Sequence, residues 1–265
     1  MNRPTRASPD RHVPRKRFGQ NFLADAHYVD RIVAAIDPRP GDALVEIGPG
    51  LGAITGRLIQ RAGHLTAIEI DRDLAARLRE AFTPDRLTLV EGDALRFDFT
   101  TLGHALRIVG NLPYNISSPL LFHLASQLAS ITDLHVMLQK EVVDRMTASP
   151  ATPDYGRLSV MLQAQFAIER LFVVPPGAFR PAPKIDSAVA RLVPLRARAP
   201  EIVDRDRFAR LVTAAFTQRR KTLRNALAAE VDVATLERAG IDPGARGETL
   251  AVADFVRLAN GVASR

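Results

Sequence analysis

The residues best suited to chemistry lie in one short stretch of the chain, GNLPYNISSP at residues 110–119. The side-chain oxygen of Asn111 can accept a hydrogen bond from an exocyclic amine. Pro113 stiffens the backbone and removes a competing donor, and Tyr114 offers a ring on which a base can stack. The stretch therefore suits a flat, amino-bearing base, although a strand-to-helix turn with a serine cap explains the same residue types.

The elements around this stretch place it at the edge of a sheet. An apolar run from Leu106 to Val109 precedes it and predicts a buried parallel strand. Apolar residues at helical spacing follow it, namely Leu120, Leu121, Phe122 and Leu124. The stretch is therefore predicted to be a loop at the carboxyl end of a strand, where open α/β sheets bind their ligands.

A glycine-rich loop earlier in the chain forms a second candidate site. Residues 42–47 predict a strand, Gly48 and Gly50 follow in the loop, and a helix is predicted from Ile54. Glycines let the backbone approach a ligand closely, and a helix N-terminus favours polar or anionic groups. Because the loop fits the pattern G-x-G-x-x-A, a dinucleotide and S-adenosylmethionine both remain possible ligands.

Two acidic residues follow the next two predicted strands. Glu69 lies near the end of a strand over Leu65 to Ile70, about twenty positions past the loop, where a carboxylate suits a ribose diol. Asp93 follows a strand over Leu87 to Val90, and it can accept from an adenine amino group or cap a helix. The carboxylate that follows the glycine loop serves NAD and S-adenosylmethionine equally.

Strands alternate with helices through most of the chain. This order predicts a doubly wound, mostly parallel sheet of the α/β class. Residues 158–174 fit either one long strand or a helix followed by a strand. From about residue 196 the apolar spacing is helical. We therefore predict a basic, flexible arm at 1–17, a sheet domain at 18–195 and a small all-helical domain at 196–265.

Positive charge is concentrated in two segments of a chain whose net charge is +7. Residues 1–17 carry six Lys or Arg against one Asp, and residues 205–224 carry seven against one Asp. The second segment includes four cations on successive turns at the start of a predicted helix: Arg219, Arg220, Lys221 and Arg224. Such blocks suit a nucleic acid partner, although a mobile tail and a solvated helix face give the same pattern.

The composition excludes several classes of protein. The 265 residues include no Cys, which excludes disulfides and thiolate metal sites and is typical of a reducing cytoplasm. The six His residues show no paired spacing, so no metal is expected. No apolar run reaches membrane-spanning length, and the N-terminus has no apolar signal-peptide core, so we expect a cytoplasmic protein without a membrane partner.

A proline-rich segment over 173–187 presents one aromatic residue and one cation, Phe179 and Arg180. Its four prolines predict a stiff loop that stays out of any strand ladder. Phe179 either packs into the core, as a lone Phe usually does, or forms a second stacking face for a base.

Taken in order, the motifs of the chain resemble those of the ribosomal RNA adenine N6,N6-dimethyltransferases, and the small-subunit type most closely. They run from Phe18 to about Leu250 and are FGQNFL, EIGPGLGAIT, AIEID, EGDAL, GNLPYNISSPLL, LQKEVVDR, YGRLSV, FRPAPKIDSAVARL and RRKTLRNAL. Members of that family use S-adenosylmethionine to dimethylate two adjacent adenosines near the 3′ end of small-subunit (16S) ribosomal RNA. The resemblance implies a seven-stranded Rossmann-like methyltransferase sheet and a role in small-subunit biogenesis. Its substrate would be ribosomal RNA within an assembling 30S particle, and we expect a monomer.

The resemblance also implies roles for particular residues. Cofactor contacts are expected at Asn21, Leu23, Gly48, Gly50, Glu69, Asp93 and Asn111. Contacts that hold the target base are expected in the loop and the proline-rich segment, at Asn111, Leu112, Pro113, Tyr114 and Phe179. The arginine-rich arm before Phe18 is longer than the motif requires.

These residues suggest how a poor nucleophile can react. The N6 lone pair of adenine is delocalised into the purine ring. Acceptors at Asn111 Oδ1 and the Leu112 carbonyl can hold both N–H bonds and favour a more pyramidal nitrogen, while Tyr114 and Phe179 clamp the ring. No general base is required, because the proton can leave for water after alkylation. The base must be unstacked to reach such a pocket.

Three other functions remain open on the sequence. The large-subunit (23S) adenine methyltransferases of the macrolide-resistance type share the fold, but Leu112 and the segment FRPAPKIDS favour the small-subunit type. A non-catalytic factor in ribosome assembly or transcription would be expected to lose the Asn-x-Pro-Tyr loop, which is intact. An NAD enzyme would need a hydride acceptor site, and the sequence shows none.

Overall fold

The computed structural model of the protein describes residues 21–196 and 201–261. The predicted basic arm at 1–17 and Phe18, which starts the first motif, lie outside these residues. Strands are numbered β1 to β9 and helices α1 to α10 in chain order.

A seven-stranded sheet forms the centre of the fold. In spatial order its strands are β4 (Leu87–Glu91), β3 (Leu65–Glu69), β2 (Leu44–Ile47), β5 (Leu106–Asn111), β6 (Ile131–Gln139), β9 (Ser187–Pro194) and β7 (Phe166–Val174). The first five run parallel, whereas β9 runs antiparallel to both of its neighbours. The predicted seven-stranded, mostly parallel sheet is confirmed.

Helices cover both faces of this sheet. They are α1 (Ala26–Ile36), α2 (Thr55–Ala62), α3 (Arg72–Ala81), α4 (Ser117–Ala125), α5 (Lys140–Thr147) and α6 (Arg157–Gln163). The first three contribute to one buried cluster and the last three to another. Neighbouring residues of β5 alternate between the two clusters, since Ile108 belongs to one and Val109 to the other. Because both faces are covered, the strands are continuous apolar runs.

A short antiparallel ribbon forms apart from the main sheet. It pairs β1 (Phe22–Leu23) with β8 (Phe179–Arg180), and Leu23 lies opposite Phe179. The backbone N–H of Ala24 extends the contact by donating to the Ala178 carbonyl at 2.8 Å. The prediction that the proline-rich segment stays out of any ladder is wrong here, because the two residues of β8 keep the N–H that proline lacks.

Residues 158–174 form a helix followed by a strand, which is one of the two arrangements that the sequence allowed. Helix α6 begins after Gly156, whose N–H donates to Ser159 Oγ at 3.0 Å. Strand β7 then pairs with β9 from Phe166 to Val174. Helix α6 ends at Gln163, and the residues from Phe166 onward form a strand because they pair with β9.

Four helices make up residues 201–261: α7 (Arg205–Thr217), α8 (Leu223–Ala226), α9 (Val233–Arg238) and α10 (Val252–Gly261). Their apolar side chains, including Phe208 and Leu236, form a third buried cluster. Tyr155 and Val160 belong to the same cluster, and the Tyr155 hydroxyl donates to the Leu250 carbonyl at 2.9 Å. The helices therefore pack against residues that precede the predicted boundary at 196. Within the described residues, no helix is long and apolar enough to cross a membrane.

Candidate functional site

The carboxyl ends of β2, β3, β4 and β5 meet around one cavity. Its lining includes every residue that was predicted to contact a cofactor: Asn21, Leu23, Gly48, Gly50, Glu69, Asp93 and Asn111. It also includes Leu112, Pro113 and Tyr114 of the loop after β5. The glycine loop and the Asn-Leu-Pro-Tyr loop are therefore two walls of a single pocket. The roles of these residues in binding and catalysis stay predictions.

The glycine loop lines the cavity with backbone atoms that carry no side chain, at Gly48 and Gly50. Gly48 and Gly50 have φ angles of 66° and 61°, in the left-handed region where a side chain is strained. A Cβ on Gly50 would also lie 3.1 Å from two ring carbons of Phe22. Only glycine therefore fits position 50 without strain and without displacing the Phe22 ring.

Backbone donors hold the carboxylate of Glu69 in place. Its Oε1 accepts from the Asp71 N–H at 2.9 Å, and its Oε2 accepts from the Gly50 N–H at 3.1 Å. Burial raises the pKa of this carboxyl above its usual value, and the two bonds oppose the rise. Each oxygen can accept a further bond, so the carboxylate can still receive the hydroxyls of a diol.

Asp93 supports a local turn and lines the cavity at the same time. Its Oδ1 accepts from the Leu95 N–H at 3.0 Å. The residue begins a turn and not the helix that the capping interpretation expected. Its second carboxylate oxygen remains an acceptor for an amino group in the cavity.

Asn111 is the last residue of β5, and its side chain is hydrogen-bonded to the backbone of Asn21. Its Nδ2 donates to the Asn21 carbonyl at 3.0 Å. The amide nitrogen is used in this bond, so the Oδ1 on the other side of the amide is the acceptor that a ligand can use. The N–H of Leu112 donates to the Met137 carbonyl on β6 at 3.0 Å. These two bonds hold the start of the loop in a fixed position.

Tyr114 is half-buried beside the cavity and is anchored at both ends. Its carbonyl accepts from Ser117 Oγ at 3.1 Å, and its hydroxyl lies 3.0 Å from Ser187 Oγ. Ser187 is fully buried at the start of β9. Nothing in the sequence distinguishes Ser187, because a serine within a motif gives no sign of what it contacts 73 residues away.

Phe179 does not line the cavity. Its side chain is fully buried in the cluster that contains Leu23 and Val174. The ring therefore has no exposed face for a base, and stacking would need the ribbon of β1 and β8 to move. Of the two positions that the sequence allowed, the structure shows the one in the core, and the stacking role stays a prediction.

Glu46 is a residue of the site that the sequence analysis missed. It lies on β2, lines the cavity and is only 3% exposed. Burial raises its pKa to about 7. The bond that its Oε2 accepts from Thr55 Oγ1 at 2.7 Å opposes the rise, and the charge of Glu69 adds to it. The available signal was a charged residue inside the strand LVEI, which is otherwise apolar.

Replacing Glu46 with Gln is expected to remove a pH dependence of stability. The pKa of this carboxyl is about 7 in the folded protein, against an ordinary value of 4.5 for a solvated Glu. The folded state therefore binds more protons than the unfolded state between these pH values. As pH rises through this window, the free energy of unfolding of the wild type should fall by up to ~3 kcal/mol because of this group.

Urea unfolding at about pH 5 and about pH 8 measures this fall. Gln keeps the acceptor for Thr55 and cannot ionise, so the variant should lose less stability than the wild type between the two pH values. Glu237→Gln, at an exposed position, is the matched control and should behave as the wild type. Equal falls for Glu46→Gln and the wild type would contradict the assignment.

The charged residue types around the cavity are all acidic. Glu46, Glu69 and Asp93 line it, and among the described lining residues there is no Lys or Arg. Such a pocket favours a cationic ligand over one that carries phosphates. It can hold a cationic, ribose-bearing ligand beside a loop whose acceptors suit an amino group.

The four cations that were predicted to bind RNA lie in the helical part of the structure, and all are exposed. Arg219, Arg220 and Lys221 occupy the turn after α7, and only Arg224 lies in α8. The prediction that they occupy successive turns of a helix is wrong. The chain leaves the helical conformation after Thr217, where α7 ends, and resumes it only in α8.

Arg219 differs from the other three cations. Its Nε lies 2.7 Å from Glu248 Oε2, and its guanidinium also donates to the Pro153 carbonyl at 2.8 Å. In the part of the chain that the structure describes, the side chains of Arg220, Lys221 and Arg224 have neither a carboxylate nor a carbonyl partner. These three therefore remain available to an external anion.

Comparison with known proteins identifies one family. The family model described as ribosomal RNA adenine dimethylase matches residues 11–264. Two relatives of high identity are both called ribosomal RNA small subunit methyltransferase A. The protein of Aromatoleum aromaticum is 60% identical over 254 residues, which are 96% of this chain and 96% of the relative. That of Thiobacillus denitrificans is 59% identical over 96% of this chain and 100% of the relative.

Solved structures resemble the fold over nearly the whole chain. A dimethyladenosine transferase from Plasmodium falciparum has a TM-score of 0.77 at 26% identity, with 89% of this chain and 95% of that chain covered. The 23S rRNA methyltransferase ErmE has a TM-score of 0.69 at 29% identity, with 92% of this chain and 100% of that chain covered. The similarity therefore includes both the sheet and the helical part.

Proposed function

The chain belongs to the ribosomal RNA adenine dimethylase family, and from this membership we propose that it dimethylates N6 of two adjacent adenosines near the 3′ end of small-subunit (16S) ribosomal RNA. It is an S-adenosylmethionine-dependent methyltransferase. The observation that carries the proposal is the single cavity, in which an acidic pocket and the acceptor-bearing Asn-Leu-Pro-Tyr loop face the same space.

S-adenosylmethionine fits the residues of this cavity. The ligand is cationic and contains a ribosyl adenine, and the cavity offers three carboxyl groups without a cation among its described lining residues. Glu69 would hold the ribose hydroxyls, and Asp93 would accept from the adenine amino group. The bare backbone of the loop at 48–50 lets the ligand come close. The bound cofactor supplies an electrophilic methyl group.

The loop after β5 would hold the target adenine. Asn111 Oδ1 and the Leu112 carbonyl would accept the two N6–H bonds and favour a pyramidal nitrogen with a localised lone pair. Tyr114 would support one face of the ring. Because the bonds to Asn21 and Met137 hold these groups in place before the base arrives, little reorganisation is needed during the reaction. The N6 proton leaves for water.

Identity favours small-subunit RNA over 23S RNA as the substrate. The two relatives named for the small subunit are 60% and 59% identical to this chain, whereas ErmE is 29% identical. The intact Asn-Leu-Pro-Tyr loop argues against a non-catalytic assembly factor. We further propose that the substrate is an assembling 30S particle and that the enzyme acts as a monomer in the cytoplasm.

Mass spectrometry of ribosomal RNA tests the proposed function. The purified protein, incubated with S-adenosylmethionine and 30S particles that lack the modification, is expected to produce two adjacent N6,N6-dimethyladenosines. The 16S RNA of a deletion strain is expected to lack them. Modification of 23S RNA, or of neither RNA, would refute the proposal.

The protein is expected to bind S-adenosylmethionine and not NAD. The acidic lining attracts the cationic ligand, and it repels the two phosphates of a dinucleotide in a pocket without cations among its described lining residues. Isothermal titration calorimetry with each ligand measures the difference. Binding of NAD without binding of S-adenosylmethionine would overturn the enzyme assignment.

We also propose that Arg219, Arg220, Lys221 and Arg224 bind the phosphate backbone of the RNA. Replacing all four with Gln is expected to flatten the plot of log affinity against log salt concentration. Each lost phosphate contact changes the slope by about 0.7–0.9 of a unit. Because Arg219 is also paired with Glu248, we expect its phosphate contact to be the weakest of the four. The loss of about three to four contacts should therefore change the slope by about 2–4 units.

A filter-binding titration with small-subunit particles at several salt concentrations measures this slope. Affinity should fall similarly for matched and mismatched RNA, since phosphate contacts position the protein and do not specify sequence. Gln at four exposed arginines of the sheet part is the control for net charge: Arg39, Arg57, Arg61 and Arg86. A slope that changes equally in the control would show that only net charge matters.

A further inference from the structure

A partly buried hydrogen bond links the loop after β5 to the antiparallel strand β9. The Tyr114 hydroxyl lies 3.0 Å from Ser187 Oγ, and Ser187 has no exposed surface. The backbone of Ser187 is paired on both sides, opposite Gln139 of β6 and Val174 of β7. The serine is therefore a rigid anchor for the far end of the Tyr114 ring.

The near end of Tyr114 is also held. Its carbonyl accepts from Ser117 Oγ at 3.1 Å, and the Ile116 N–H closes the turn by donating to the Pro113 carbonyl at 3.1 Å. A phenol ring that is held at its backbone and at its hydroxyl cannot change rotamer without breaking one of these bonds. The bond to Ser187 thus holds the hydroxyl end of the ring, and with it the χ1 rotamer, in place beside the cavity.

The proposed reaction places unequal demands on this ring in its two steps. Each methyl transfer forms one bond from N6 to carbon, breaks the sulfur–carbon bond of the donor and releases one N6 proton to water. Adenine offers two N6–H groups to Asn111 Oδ1 and the Leu112 carbonyl, whereas N6-methyladenine offers only one. In the second transfer the base therefore has one hydrogen bond fewer, and stacking on Tyr114 contributes a larger share of its positioning.

We propose that Ser187 is a positioning residue that acts through Tyr114 and is needed more for the second methyl transfer than for the first. This inference rests on the proposed function. It makes a specific claim about products: loss of the Ser187 hydroxyl should lead to accumulation of N6-methyladenosine at the expense of N6,N6-dimethyladenosine.

Ser187→Ala tests the claim in a time course on small-subunit particles, with both products measured by mass spectrometry. The ratio of monomethyl to dimethyl product, compared at equal total methylation, should rise about two- to tenfold, which is the effect of losing one ordinary hydrogen bond. Tyr114→Phe removes the same bond from the other side and should raise the ratio similarly. The double variant should raise it no further than either single change, because both remove one interaction.

Ser159→Ala is the matched control. Ser159 is equally buried, and its hydroxyl donates to the Arg145 carbonyl and does not line the cavity. This variant should lose stability without changing the product ratio, and neither serine variant should change the affinity for S-adenosylmethionine.

A wild-type product ratio in folded Ser187→Ala overturns the proposal. If Ser187→Ala does not fold, Tyr114→Phe decides alone, since it leaves β9 unchanged, and a wild-type ratio there overturns the proposal equally. Failure of the proposed function looks different, because the wild-type protein would then yield neither product.

Discussion

The Asn111→Ala enzyme is expected to lose at least about a hundredfold in methyl transfer, which is the usual effect of removing one positioned bond to a reacting group. The variant lacks the Oδ1 acceptor that would draw the N6–H bond out of the ring plane. It also lacks the Nδ2 that donates to the Asn21 carbonyl, so the loop loses its hydrogen bond to the backbone just before β1. A single-turnover assay at saturating S-adenosylmethionine measures the chemical step separately from cofactor binding.

Asn115→Ala is the control within the same loop. Asn115 is exposed and does not line the cavity, so its loss should leave the rate within a few-fold of the wild type. Circular dichroism and urea unfolding should show both variants folded, because Asn111 lies at the end of β5 and only its side chain is changed. A rate for Asn111→Ala within a few-fold of the wild type would show that Asn111 serves only the conformation of the turn.

The Phe179→Ala protein is expected to lose about 3–5 kcal/mol of stability, which is the usual result of truncating a fully buried Phe. The ring has no exposed surface and packs in a cluster with Leu23 and Val174. Its removal leaves a cavity beneath the ribbon of β1 and β8. Urea unfolding measures the loss directly. A change below about 1 kcal/mol would show that the ring does not pack in the core.

A second variant separates packing from stacking on the base. Phe179→Leu keeps most of the apolar volume but has no ring, and a stacked base is worth about 1–3 kcal/mol. If Phe179 also stacks on the base, the specific activity of the folded Leu variant should fall by the corresponding factor. Phe166→Ala, at a second buried Phe outside the cavity lining, is the control for lost stability alone. Wild-type activity in Phe179→Leu would leave the ring a purely structural role.

The order of strands and helices could be predicted from the sequence because its signals are local. Apolar runs such as 106–109, glycines after β2 and helical spacing after the Asn-Leu-Pro-Tyr loop each depend on a few neighbouring residues. Parallel topology allows one further prediction, because it places the carboxyl ends of the strands at the same edge of the sheet. Asn111, Glu69 and Asp93 could therefore be expected to meet, although they lie in different loops.

Features that depend on pairing with a distant segment could not be predicted in this way. Residues 158–174 were ambiguous because β7 is a strand only through its partner β9. The ribbon of β1 and β8 joins segments from opposite ends of the sheet domain, and each is two residues long, too short for a periodic signal. The basic turn at 218–221 was mistaken for helix because a run of cations is compatible with either conformation.

The sequence by itself determined the fold class, the family and the two loops that form the cavity, because motif spacing and local periodicity carry that information. Only the tertiary structure decided how individual side chains are used. It buries Phe179 in the core, raises the pKa of Glu46 by removing it from water, and places Ser187 beside the hydroxyl of Tyr114. Burial and hydrogen bonding depend on what surrounds a side chain, and those surroundings come from segments far away in the chain.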